Sequence, residues 1–408
     1  MSVSPLLSAP SRADAVWRQI VAPSLGEHVP GETRTEIEAA VKARIEPDLT
    51  DILRALYPGH RFLDQNGRTF PVIELGSGDS IPASPDAILG EGDFAASILA
   101  DPELRERGRP YLRLLESIGA YVYDAPTYAV QTLHLPECGM PRIDCRLGSY
   151  FDMLLTCDAL EWELLGAVRR WPEYGGDVRS FLERELPARH RAHRLATGDP
   201  IVHTIGRSAA LAVSTLILCR REEEWVILFG DRSERGVATH GDVFHVLPSF
   251  MLQPVTGRPD AEFVVTHHIY RELLEELCGL PDTHDTGLPV EYFYDHPSLR
   301  YLRRLLDSGE ARLTLCGLVV DPLKLRPEIC VLLCIDAAAW VADHAAGRDG
   351  LTVIAFEESY TPGRGSGQSV CLPLADIETH GIDPARWVPP GAAAVLLGIR
   401  AARRLGWV

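Results

Sequence analysis

The segment 267–279, HHIYRELLEELCG, constrains the fold of this chain more than any other stretch, because its pattern predicts a helix with two unlike faces. The apolar side chains recur at helical spacing and form one broad stripe that has to be buried against other elements. The opposite side gathers Glu272, Glu275, Glu276 and His268. Like charges three and four residues apart destabilise an isolated helix, so we expect something to compensate for the three glutamates.

A divalent cation would compensate for this charge. Mg²⁺ and Mn²⁺ bind carboxylate oxygens and keep coordination positions for water and for substrate phosphates. A solvated acidic face is the alternative, and the helix pattern taken alone favours it. The choice between the two depends on the surroundings of the helix.

Composition and charge limit the partners of the protein. The net charge is −17 over 408 residues and no segment is rich in Lys and Arg, so we expect neither nucleic acid nor a membrane as a partner. No run of about 18 apolar residues and no secretory leader is found, which predicts a cytoplasmic protein. An acidic protein that handles a phosphorylated substrate needs bound cations or a local arginine cluster.

The chain length predicts two domains. We predict a loosely attached lead at residues 1–30, an α+β domain at 31–198 and a second domain at 199–408, where charged helices give way to long apolar strands. Strand-like segments on both sides of residues 124–126 predict a hairpin. The second part reads as strands, a helix near 262–277, two more strands and a closing helix. This order predicts an α/β (α+β) fold with a mixed sheet flanked by helices.

Residues 271–276, RELLEE, resemble the core of the Nudix box, whose family pattern is G-x5-E-x7-R-E-U-x-E-E-x-G-U with U aliphatic. Gly257 lies fourteen residues before Arg271, the separation that the pattern requires. The segment HVLPSF stands where the family has a turn like L-P-G-G. The resemblance covers roughly residues 200–408 and implies a Nudix-like fold for them.

The flanks of the box depart from the family pattern. Its first glutamate falls on Phe263, with Glu262 one place early, and Cys278 is inserted before Gly279. Ser249 and Phe250 replace the paired glycines. A loop can absorb a one-residue shift at the start of a helix, so we expect the metal-binding centre to survive these changes.

The resemblance implies a role for each matching residue. Glu275 and Glu276 would bind Mg²⁺ or Mn²⁺, and Glu272 would be a further ligand or the base for water. Arg271 would be structural and pair with an acidic residue near the start of the helix, and Gly257 and Gly279 would also be structural. Nudix enzymes cleave a diphosphate joined to another group. The implied activity is hydrolysis of a phosphoanhydride in a nucleoside diphosphate-linked or related phosphorylated small molecule. The alternative is a Nudix-like protein that has lost turnover and binds a ligand for regulation or assembly.

Further site candidates come from the segments around the helix. Glu328 begins a strand and would be a late metal ligand, or else a surface residue. Predicted substrate contacts are two histidines and three arginines, each with a structural or solvated role as the alternative: His245, His268, Arg207, Arg232 and Arg235.

The acidic segment 140–170 has no obvious role of its own, and we predict that it packs near the acidic helix. Its Asp144, Asp152, Asp158 and Glu161 are interpreted as a solvated face, with a part in a site as the alternative. The oligomeric state is open, with a homodimer as one option.

Overall fold

The computed structural model describes residues 25, 29–77, 83–120, 122–137, 139–231, 244–281, 290–354, 356–357 and 369–408. Within them the chain forms a mixed sheet flanked by helices, as the sequence predicts. The strands are β1 Phe62–Gln65, β2 Arg68–Ser77, β3 Leu89–Ser97, β4 Pro126–His134, β5 Arg142–Ser149, β6 Ala212–Arg221, β7 Glu224–Asp231, β8 Phe244–Val246, β9 Ser249–Met251, β10 Ala311–Asp321, β11 Arg326–Ile335, β12 Phe356–Glu357 and β13 Ser369–Pro373.

The described helices lie on both sides of the sheets. The α-helices are Gly31–Arg44, Pro47–Leu56, Pro102–Ser117, Tyr150–Met153, Ala159–Ala167, Val178–Glu185, Pro187–Leu195, Pro259–Glu262, Val265–Glu272, Pro297–Ser308, Ala338–Ala346, Leu374–His380 and Pro389–Arg404. Short 3-10 helices are Pro85–Ile88, Val168–Tyr174, Val290–Asp295, Arg348–Gly350 and Pro384–Arg386. Two π turns, Leu154–Asp158 and Leu273–Leu277, extend α-helical segments.

The main sheet has the order β1-β2-β10-β11-β6-β7-β13-β12, with β8 added to β7 and β9 to β6. Strands β11 and β6 run parallel at its centre, and β10 and β11 form an antiparallel hairpin. A second sheet has the order β3-β5-β4. Since β1 and β2 precede residue 198, the predicted boundary between residues 198 and 199 does not separate the main sheet from the first part of the chain.

Burial on both faces explains why β6 reads as a continuous apolar run. Leu216 and Leu218 face the closing helix Pro389–Arg404, whereas Ile217 packs with Leu273 and Leu274 on the other side. Alternate residues of one strand therefore hold a helix on each face of the sheet. We call residues 265–277, the α-helix Val265–Glu272 with its π turn, the acidic helix.

The helix predicted near 262–277 is present, with a break after Pro259–Glu262. The hairpin predicted around residues 124–126 is wrong, because residues 122–125 form no strand and β4 pairs with β5 instead. Among the described residues, no helix combines the length and the apolar character needed to cross a membrane.

Candidate active site

A cavity of about 260 Å³ lies beside the acidic helix and takes its walls from both predicted halves of the chain. It is lined by carboxylates, two cations, a histidine and a few apolar and polar side chains. These are Tyr150, Met153, Asp158, Ala212, His245, Ser249, Phe250, Met251, Gln253, Glu272, Glu275, Glu276, Asp321, Lys324, Arg326, Glu328, Val388 and Pro390. The four glutamates predicted as metal ligands are among them.

The acidic helix presents three of these carboxylates to the cavity. Its apolar stripe is buried in the core, so the opposite face is fixed toward the cavity. The π turn Leu273–Leu277 contains Glu275 and Glu276, and it widens the helix at these residues. Turns of this kind occur often at functional sites. The segment ends at Gly279, whose φ of +65° is a conformation that glycine adopts without strain.

The buried guanidinium of Arg271 lies beside two of these glutamates and stabilises their negative charge. Its side chain is 1% exposed and donates to Glu272 Oε1 at 2.6 Å and to the Gln253 carbonyl at 3.2 Å, while Glu275 Oε1 lies 4.0 Å from its Nε. The predicted structural role of Arg271 fits this position. Its acidic hydrogen-bond partner is the adjacent Glu272 and not a residue near the start of the helix.

Ser249 holds Glu276 in place. Its backbone N–H donates to Glu276 Oε2 at 3.1 Å and so positions this carboxylate. Its hydroxyl lies 3.0 Å from His245 Nε2 and 3.5 Å from the hydroxyl of Ser214. His245, one of the predicted substrate contacts, lines the cavity.

Glu328 reaches the same cavity from the sheet. It is the third residue of β11 and lies opposite Ala212 of β6, and its carboxylate accepts a hydrogen bond from Ser214, two residues further along β6. The side chain is 3% exposed. Of the two predicted alternatives for Glu328, the surface position is wrong, and its role as a metal ligand stays a prediction.

The four glutamates fit a divalent metal in chemistry and in location. All are carboxylates, the ligands that Mg²⁺ and Mn²⁺ prefer, and all line one cavity. They do not form a preassembled cage, because in the described chain no three Asp, Glu, His or Cys side chains stand close enough to hold one ion. Hydrogen bonds from Arg271, Ser249 and Ser214 orient three of these carboxylates, those of Glu272, Glu276 and Glu328.

The positive charges of the cavity come from the turn between β10 and β11. This contribution was not predicted from the sequence. Asp321 ends β10, and Lys324 and Arg326 follow it. Burial, together with the charge of Glu161, raises the pKa of Asp321 to about 7. Burial lowers the pKa of Arg326, but the surrounding carboxylates outweigh it and the net shift is upward. One signal in the sequence marks the turn: Lys324 is one of only two lysines among 40 Lys and Arg residues.

The first part of the chain contributes Tyr150, Met153 and Asp158 to the cavity, which confirms that segment 140–170 packs near the acidic helix. Asp158 and Glu161 are buried, so for these two the solvated-face interpretation is wrong. Asp158 ends the π turn Leu154–Asp158 and points to the same cavity as the π turn of the acidic helix. Arg44 forms an ion pair with Glu161.

Two predicted substrate contacts lie elsewhere. Arg207 is fully buried and donates to the carbonyls of Leu325, Pro200 and His203, so its guanidinium is used inside the fold and does not line the cavity. His268 is also fully buried, and its Nε2 lies 2.8 Å from the Glu262 carbonyl. Burial and the charge of Arg271 hold the pKa of His268 well below its usual value. For these residues the substrate-binding prediction is wrong, because burial removes them from the cavity.

Arg232 and Arg235, the two other arginines predicted to contact substrate, lie outside the described residues.

Glu262 shapes the loop that leads into the acidic helix. Its carboxylate accepts from the backbone N–H groups of Val255 at 2.8 Å and Thr256 at 2.9 Å, and from the Thr256 hydroxyl at 2.6 Å. Gly257 follows in this loop with a φ of +75°, consistent with its predicted structural role. The glutamate that stands one place early thus has a structural function.

No known family's sequence model matches this chain, and no curated protein shows a significant match to it. The function has to be inferred from the residues of the cavity and their geometry.

Proposed function

We propose that the protein is a metal-dependent hydrolase of the Nudix type, which cleaves a phosphoanhydride in a nucleoside diphosphate-linked or related phosphorylated small molecule. One observation carries the proposal. Glu272, Glu275 and Glu276 of the acidic helix line the same cavity as Glu328, which lies on strand β11 more than fifty residues later in the chain. A solvated acidic face would not need the fourth carboxylate.

The charge of the cavity supports a cationic cofactor. Its lining holds six carboxylates and two cations, a formal charge of −4 when all are ionised. This excess of negative charge would weaken the binding of a phosphorylated substrate unless cations or protons compensate for it. Mg²⁺ or Mn²⁺ would be the natural partner for an all-oxygen ligand set.

Each carboxylate has a role in this proposal. Glu275 and Glu276 from the helix and Glu328 from the sheet would hold the cation, with Arg271, Ser249 and Ser214 orienting the glutamates. A bound divalent cation would neutralise the diphosphate and make water more acidic. Glu272 would accept the proton of the attacking water or serve as a further ligand. The first part of the chain would close the cavity and restrict which substrates fit.

A ligand-binding protein without turnover is the second candidate. One observation favours it: the carboxylate of Glu272, the proposed base or further ligand, is hydrogen-bonded to Arg271. A domain that binds a phosphorylated ligand for regulation could keep such a cavity while losing the metal.

A screen of phosphate release separates the two candidates. Nucleotide sugars, ADP-ribose, dinucleotides and nucleoside triphosphates would be tested with Mg²⁺ or Mn²⁺, using the wild type, Glu276→Gln and the control Glu106→Gln. Glu106 is 73% exposed and remote in sequence from the cavity residues. Hydrolysis requires turnover that Glu276→Gln abolishes and Glu106→Gln retains, with both variants folded. Ligand-induced stabilisation without turnover of any compound would support the binding protein instead.

A further inference from the structure

Lys324 has an unusual environment for a buried ammonium. Its side chain is 7% exposed, and among the described residues its ammonium makes no hydrogen bond. The carboxylate oxygens Glu161 Oε2 and Asp158 Oδ1 lie at 3.6 and 3.7 Å, beyond hydrogen-bond distance. A buried cation without hydrogen bonds is costly, so its three N–H groups are suited to an acceptor that the described part of the chain does not supply.

Arg326 repeats this pattern beside Lys324. Its Nη1 donates to the sulfurs of Met153 at 3.2 Å and Met251 at 3.6 Å, which are weak acceptors for a guanidinium. Its ion pair with Asp158 Oδ1 is 3.6 Å long. Both cations therefore approach the same carboxylate oxygen, and one small oxyanion can reach both of them. Asp158 Oδ1 itself has no hydrogen-bond partner within the described structure.

The turn that carries these cations is held rigidly. Arg189 donates to the carbonyls of Pro322 at 2.8 Å and of Leu323, and Arg207 donates to that of Leu325. Leu325, between the two cations, has a φ of +53°, which is rare for a residue with a branched side chain. The surrounding structure maintains this strained conformation and so places Lys324 and Arg326 on the cavity wall.

Four carboxylates face the pair, those of Asp158, Glu161, Asp321 and Glu328. Glu161 is already paired with Arg44. Burial raises the pKa of Asp321 to about 7, so a fraction of this carboxyl is protonated at neutral pH. Asp158 is the carboxylate that pairs with both Lys324 and Arg326, and neither pair is within hydrogen-bond distance.

We propose that Lys324 and Arg326 form an oxyanion subsite that binds a phosphate group of the substrate. Lys324 supplies a compact charge with three donors and Arg326 a planar set of donors, the usual pair of groups for phosphate recognition. The inference rests on the proposed function for the class of ligand, a phosphorylated small molecule. It assigns the specificity of the cavity to the β10–β11 turn, which lies outside the residues that resemble the Nudix box.

Binding of inorganic pyrophosphate without metal tests the subsite. Isothermal titration in EDTA, at constant ionic strength, would compare the wild type with Lys324→Met and Lys42→Met. Lys42 is the only other lysine and pairs with Glu38 at 2.6 Å on the surface of an N-terminal helix. We expect saturable binding by the wild type, a roughly 10- to 100-fold weaker affinity for Lys324→Met, and no change for Lys42→Met. Equal affinity in all three proteins, or no saturable binding by the wild type, would overturn the proposal.

Two further measurements test the subsite even if Lys324→Met does not fold. Lys324→Arg keeps the charge and should bind pyrophosphate within a few-fold of the wild type. In the unmodified protein, acetic anhydride labelling followed by mass spectrometry should show that pyrophosphate protects Lys324 and not Lys42. Equal labelling of Lys324 with and without pyrophosphate would again contradict the subsite.

These assays involve no turnover, so they separate the subsite from the hydrolase proposal. If hydrolysis depends on Glu276 but the affinity for pyrophosphate is the same in the wild type and Lys324→Met, only the subsite proposal is refuted. Binding that depends on Lys324, with no hydrolysis of any compound, would retain the subsite and favour a ligand-binding protein.

Discussion

Glu262→Gln should destabilise the protein by about 2–4 kcal/mol, although glutamate and glutamine have nearly the same shape. The carboxylate of Glu262 is fully buried and accepts on both oxygens: Oε2 from Val255 N–H, and Oε1 from the backbone and hydroxyl of Thr256. Glutamine keeps only one of these two acceptor oxygens, because an NH₂ group takes the place of the other. Its NH₂ group would then face a backbone N–H donor.

The magnitude follows from this mismatch. An orphaned buried N–H costs about 1–3 kcal/mol, and the remaining hydrogen bonds lose the part of their strength that the charge provides. Urea denaturation at pH 7 measures the loss. Asp260→Asn is the matched control, because Asp260 lies exposed on the same short helix and its change should stay within about 0.5 kcal/mol. A loss for Glu262→Gln as small as that of the control would refute the proposed role of Glu262 in the loop.

Three other changes test the site. Arg271→Met should cost about 3–5 kcal/mol in urea denaturation, since it removes a buried guanidinium and leaves the partly buried Glu272 without its partner. Adding Glu272→Gln should recover part of the loss, and equal stability of the single and double variants would contradict this. Because burial raises the pKa of Asp321 from 3.8 to about 7, the folded state retains a proton that the unfolded chain releases. This contribution is complete below pH 3.8 and is lost as the pH rises through 7, so the wild type should lose stability over that range more steeply than Asp321→Asn. Ser214→Ala removes the hydrogen bond that orients Glu328 and should lower kcat by about 10- to 100-fold on any substrate found in the screen. An unchanged kcat would exclude a role for this hydrogen bond.

The acidic helix and the sheet around it could be predicted from the sequence because their signals are local. Helical spacing separates the apolar stripe from the glutamates, and long apolar runs mark β6 and β7 as strands. Glu328 could be named as a candidate because it starts a strand. Its contact with Ser214 depends on the parallel pairing of β11 with β6, which no local pattern encodes.

The errors concern residues whose surroundings come from distant parts of the chain. Arg207 reads as a phosphate contact, but it is buried against the carbonyl of Leu325, 118 residues later. Lys324 was missed because DPLKLR resembles an ordinary turn between two strands. Only the packing of residues 140–170 on that turn reveals that Lys324 is buried in a cavity with Asp158.

Binding of Mn²⁺ to the acidic helix tests the central claim most directly. Titration of the protein with Mn²⁺, followed by the paramagnetic resonance signal of the free ion, would compare the wild type with Glu275→Gln/Glu276→Gln and with Glu106→Gln. If the helix is a metal site, the wild type and Glu106→Gln remove the free-ion signal stoichiometrically, and the double variant does not. Equal depletion by all three proteins, or depletion by none, would show that the helix is only an acidic surface of the cavity, and the hydrolase proposal would lose its foundation.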